Sequence, residues 1–101
     1  MIANTPPAPY FAVIFTSMRT KADESGYEKA SERMIELVKD QPGFLGVESA
    51  RAQESLGITV SYWSTLESIR NWKANLEHEV AQKSGKSTWY REYRIRICTV
   101  E

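Results

Sequence analysis

His78 is the only histidine in the chain, and the only side chain whose ordinary pKa lies near neutral pH. It can take or give a proton in an acid–base step, or it can be structural or simply exposed. Gln82 follows four residues later, on the same helical face. The two could orient one another, or both could meet water. Aromatic residues gather around this stretch: Trp63, Trp72, Trp89, Tyr90 and Tyr93. A mostly apolar pocket with a few polar groups suits a flat aromatic ligand. The same rings also build cores, since each buries roughly 150–250 Å². Trp63, Trp72, Gln82 and Tyr93 are therefore candidate substrate contacts, and His78 is the candidate catalytic base.

Other chemistries find no support. There is no HxxxH or HExxH spacing and only one cysteine, Cys98. That excludes an intrachain disulfide and a cysteine-based metal site, and no metal is expected. Cys98 reads as a small buried hydrophobe in a strand. Glycine-rich phosphate loops, GxSxG and CxxC are all missing, which removes nucleotide-binding, hydrolase and dithiol readings.

The elements that must hold these residues follow from hydrophobic period. Residues 1–9 carry Pro6, Pro7 and Pro9 and read as a flexible arm. Residues 10–101 form a single domain. Tyr10–Ser17 is an unbroken run of β-branched and aromatic residues, a strand covered on both faces. From 23 to 40 the period changes: Tyr27, Ala30, Met34, Leu37 and Val38 make one stripe of a helix that Pro42-Gly43 ends. Residues 44–53 form a strand in which strict alternation sets Leu45, Val47 and Ser49 against Phe44, Gly46, Glu48 and Ala50. After a tight connection, Ile58, Val60 and Tyr62 alternate with Thr59, Ser61 and Trp63, which suggests a hairpin. Ser64 or Thr65 caps a second helix whose stripe is Leu66, Ile69, Trp72 and Leu76. A further helical stretch spans about 77–88, and 92–100 is a strand with Tyr93, Ile95, Ile97 and Thr99 on one face and Arg94, Arg96 and Cys98 on the other. The order is β-α-β-β-α-β: an α+β, ferredoxin-like arrangement with an antiparallel sheet and helices on one face.

Composition narrows the partners. The 101 residues include 13 Lys and Arg against 13 Asp and Glu, for a net charge of zero. No basic excess supports nucleic-acid binding, and no apolar run approaches the ~18–20 residues of a membrane span. The neutrality is uneven: residues 21–54 sum to −3 and residues 80–101 to +3. The first residues, MIANTPPAPY, lack the basic start and apolar stretch of a secretory signal, so a cytoplasmic location is expected. Both faces of the first strand are apolar: Phe11, Val13 and Phe15 against Tyr10, Ala12 and Ile14. Helices cover one face only, so the other needs a partner. A homodimer packed sheet to sheet is the simplest expectation.

The segments Gln41-Pro-Gly-Phe-Leu-Gly46, Tyr62-Trp63, Ser68-Ile-Arg-Asn-Trp72-Lys and His78-Glu-Val-Ala-Gln-Lys-Ser-Gly85, followed by Trp89-Tyr90, resemble the antibiotic biosynthesis monooxygenase (ABM) domain. The resemblance covers roughly residues 10–100. It implies a dimeric α/β barrel built from two ferredoxin-like chains. It also implies a cofactor-independent monooxygenase, an oxidoreductase that attacks phenolic or polycyclic aromatic substrates with molecular oxygen. Relatives oxidise quinols, and one branch degrades haem. That branch pairs a first-strand Asn with a Trp and with a His ten positions after it. Here Trp72 matches the Trp, but Gln82 stands ten positions on and the first strand has no Asn, which disfavours haem degradation. The polyketide-type enzymes use an Asn and a Trp where this chain has Ser61 and Thr65, with Trp63 between them. The resemblance therefore carries the fold and leaves the described active sites unmatched.

Two functions from different classes fit. One is a cofactor-independent monooxygenase acting on a small phenol- or quinol-like substrate. The other is a non-catalytic dimer that binds a small aromatic ligand or serves in stress. A haem-binding role ranks below both.

Overall fold

A computed structural model describes residues 2–21, 24–52, 55–82 and 89–101, with the side chains of 76–82 excepted. Its elements are β1 (Tyr10–Arg19), α1 (Glu24–Lys39), β2 (Phe44–Arg51), β3 (Leu56–Trp63), α2 (Leu66–Gln82) and β4 (Tyr90–Val100). The four strands form one open sheet in the order β2-β3-β1-β4, every neighbouring pair antiparallel. This is the expected ferredoxin-like β-α-β-β-α-β chain.

Helix ends follow local chemistry. Thr65 caps α2: its hydroxyl accepts the Ser68 backbone N–H at 3.1 Å. The α1 terminus is closed by N–H groups of Asp40 and Gln41 bonding the carbonyls of Leu37 and Val38. Gly43 then turns the chain with φ of +83° and accepts the Ser64 N–H at 2.8 Å, tying the start of β2 to the start of α2. No Gly or Pro interrupts 66–82, so α2 runs on through 82 where a separate stretch from 77 was expected; the rest of that stretch, 83–88, lies outside the described residues.

The core lies between sheet and helices. Val38, Trp63, Ile69 and Trp72 form its buried centre, with Phe11, Val13, Met34, Leu37 and Phe44 packed against it. Trp63 is wholly buried, stacks on Trp72 at 6.1 Å, and donates its indole N–H to the Ser61 hydroxyl at 2.9 Å. That bond satisfies the one polar atom the indole carries.

Three expectations are corrected. Strict alternation put Phe44 opposite Val47, but Leu45 is an extra residue in β2, and the bulge resets the phase. Phe44 thus stands across from Trp63, ring to ring at 5.5 Å, on the helix-covered face with Val47. Leu66, expected in the buried stripe, is 42% exposed at the first position of α2. Cys98, expected to be buried, is exposed on the open face of β4, across from Ala12.

The open face carries Ile14, Val60, Ile58 and Tyr62 in facing rows. Part of it is crossed by residues 2–9. The Ala3 N–H bonds the Glu48 carboxylate at 3.0 Å, and the hydroxyls of Thr5 and Tyr10 meet at 2.9 Å. Tyr62 donates its hydroxyl hydrogen to the other Glu48 oxygen.

Candidate functional site

The inward-facing residues of β1 run Phe11, Val13, Phe15, Ser17, Arg19. The first two join the core. Val13 and Phe15 then line a small cleft with Ile69, Trp72 and Lys73 of α2 and with Ile95 and Ile97 of β4. Its volume is about 20 Å³, room for about one water.

Beyond the cleft the rings continue. Phe15 stands edge-on to Tyr90 at 5.5 Å and tilted to Tyr93 at 5.7 Å. Tyr90 meets Tyr27 of α1 edge-on at 6.0 Å, and Tyr27 meets Trp89 at 5.8 Å. A second bulge produces this row. Arg19 pairs with Tyr90 while Met18 pairs with Glu92, so Arg91 is skipped and Tyr90 is brought inward. Burial pushes the Tyr90 hydroxyl's pKa upward, and the neighbouring Tyr27 adds to the shift.

Two arginines close the row. The Arg19 guanidinium carbon lies 3.4 Å from the Tyr27 ring centre, and that of Arg51 lies 5.8 Å from it. Arg51 also donates to the Tyr27 hydroxyl at 3.2 Å and to the Ser55 carbonyl at 2.8 Å. Among the described residues, the buried nitrogens Nε and Nη2 of Arg19 have no hydrogen-bond acceptor, and the buried hydroxyl of Ser17 has no partner.

The residues singled out from sequence are spread along this layer. Trp72 borders the cleft, and Tyr93 packs on Phe15 beside it. Trp63 packs in the core beside Trp72 and does not border the cleft. His78 and Gln82 fall within α2, in the part whose side chains lie outside the described residues. Ser61, where the polyketide-type enzymes have Asn, is buried and holds the Trp63 indole. Sequence reasoning passed over Arg19 and Arg51. The signal for Arg19 was its phase: it stands two and four residues after inward-facing Ser17 and Phe15 on the same strand. Among the described residues, no group of three or more His, Cys, Asp or Glu could hold a metal ion. No helix among them is long and apolar enough to cross a membrane.

With the layer defined, its relatives can be named. Residues 10–84 match the family model of antibiotic biosynthesis monooxygenases. The chain is 46% identical over 100 residues to the uncharacterized protein YqjZ of Bacillus subtilis strain 168, covering 99% of this chain and 87% of that one. Its fold is shared with SnoaB, a cofactor-independent oxygenase from Streptomyces nogalater, at a TM-score of 0.73 and 12% identity over 93% of this chain and 95% of that one. Rv0793 from Mycobacterium tuberculosis superimposes at a TM-score of 0.74 with 12% identity, covering 93% and 96%. The chain belongs to the antibiotic biosynthesis monooxygenase family.

Proposed function

We propose that this protein is a cytoplasmic, homodimeric, cofactor-independent monooxygenase that oxidises a small phenol- or quinol-like substrate. The observation that carries the reading is the cleft between α2 and the sheet. It is walled by Trp72, Phe15 and aliphatic side chains, with Lys73 as its one charged wall among the described residues. Once Trp72 swings aside to widen the cleft, such a wall holds a flat ring by burial and leaves few polar groups to fix its orientation. SnoaB, which shares the fold, is a cofactor-independent oxygenase. In this chemistry a base, for which His78 is our candidate, removes a proton from the substrate. The resulting anion gives one electron to molecular oxygen, the radical pair joins as a peroxide anion, and the protonated base returns its proton to make the hydroperoxide. Loss of water leaves one oxygen atom on the substrate as a carbonyl. The substrate itself supplies the electrons, so the protein contributes burial, orientation and a proton acceptor. The homodimer rests on Ile14, Ile58 and Val60, the apolar row on the open face of the sheet.

Oxygen uptake with a panel of quinols and anthrone-like phenols tests the reading. We expect turnover that falls roughly 10²-fold or more in His78→Ala. No uptake across the panel defeats it. Light scattering at micromolar concentration tests the dimer, and a mass of 11.6 kDa, that of one chain, would refute it.

One observation favours a second reading, a non-catalytic binder. The cleft's 20 Å³ is far below a typical ligand site of roughly 300 Å³ or more, so a ring enters only if a wall such as Trp72 moves. Tight aromatic binding without oxygen uptake would select this reading.

A further inference from the structure

At the far end of the aromatic row, Arg19 and Arg51 gather about the single ring of Tyr27, and among the described residues no acid pairs with either. Two like charges near one ring repel, and the partly buried Arg19 charge is costly without an acid to pair it. Stacking over a ring offsets part of that cost. Stacking, however, engages only the flat face of a guanidinium. Its N–H donors point outward in the plane, where they match a carboxylate. In Arg19 those in-plane donors, Nε and Nη2, are the atoms left without an acceptor. Ser17, inward on the same strand and 2% exposed, adds an unpartnered hydroxyl. Unsatisfied buried donors on this scale call for a missing acceptor.

We infer that Arg19 and Arg51, with Ser17 and the Tyr27 ring, form a binding site for the ionised acid group of a planar aromatic ligand. The ligand's carboxylate takes the Arg19 donors, and its ring lies against Tyr27 and Tyr90. Entry is from the Arg51 side. Arg51 is exposed, and its 3.2 Å bond to the Tyr27 hydroxyl is a weak closure. The row Phe15–Tyr90–Tyr27 joins this site to the cleft under Trp72. The inference rests on the aromatic-ligand reading above and sharpens it: the preferred substrate carries an acidic substituent.

Calorimetric titration with 6-hydroxy-2-naphthoate and with neutral 2-naphthol at pH 7.5 tests the site. We expect the naphthoate to bind about tenfold tighter or more, as charge-assisted pairing to a guanidinium allows. Arg19→Met should abolish that preference, Arg19→Lys should keep part of it, and naphthol affinity should stay within about twofold. Arg51→Gln, at an exposed position, should lower the preference even if Arg19→Met fails to fold. Equal affinity for the two probes, binding of neither, or a preference that survives Arg51→Gln and Arg19→Lys unchanged overturns the inference. Equal affinity leaves the aromatic-ligand reading standing. Naphthoate preference without oxygen uptake from either probe or the quinol panel supports the site while defeating the monooxygenase reading.

Discussion

The two ends of the layer between sheet and helices are built on opposite terms. At the Trp63 end, Phe11, Phe44, Trp72, Ile69 and Val38 pack against the indole, and its polar atom has found Ser61. At the Arg19 end the rings are as numerous, but Ser17 and Arg19 keep donors that no described residue accepts. A domain of this size has only about 5–15 kcal/mol of net stability. Unsatisfied groups at one end are tolerated because the other end is closed. The first end supplies stability, and the second keeps buried donors that have no acceptor among the described residues.

The largest break of this contrast is Trp63→Ala. Removing a fully buried indole from the centre of the core should cost roughly 3–5 kcal/mol, seen as an early midpoint in urea unfolding. A finer test exchanges one serine at each end. Ser61→Ala strands the Trp63 N–H and should cost roughly 1–2 kcal/mol by the same measurement. Ser17→Ala removes a hydroxyl with no partner and should leave stability unchanged or raise it by under about 1 kcal/mol. Equal losses at the two positions would erase the distinction.

The smallest effect lies on the open face and serves as a control. The Tyr62 pKa is pushed up to about 12, chiefly because its hydroxyl bonds Glu48, and Glu48 is pushed below the ordinary carboxylate value by that bond and the one from Ala3. The raised tyrosine means that its contribution is full below pH 10 and is lost as pH rises through about 12. The lowered carboxylate means that its contribution is present above the ordinary value and is lost as pH falls through the folded one. Tyr62→Phe should remove one late-ionising tyrosine from the ultraviolet titration. By carbon NMR, it should move Glu48 back toward its ordinary pKa. Unfolding midpoints at neutral pH should change little, because the pair is only partly buried and solvent screens it.

Much of the architecture could be read from period alone. The order β-α-β-β-α-β, a cap at Ser64 or Thr65, the Pro42-Gly43 stop and the two faces of β3 and β4 are local properties, set within a few residues. The candidate site was harder to read. Trp72 and Tyr93 stood out by type, but type could not tell a cleft wall from a core residue such as Trp63. Phe44 and Tyr90 reach the inner face through bulges, each of which inserts one residue that alternation does not foresee.

The 101 residues themselves determined the family, the neutral charge, the order of elements and an apolar surplus on β1, since composition and spacing are properties of the chain. The meeting of Arg19, Arg51 and Tyr27 was decided only in three dimensions. Three elements bring them together, β1, β2 and α1, from positions separated by 8 and 24 residues in the chain. Whether a donor finds its acceptor depends on what the packed neighbours leave within about 3 Å of it, and no pattern along the chain encodes that distance.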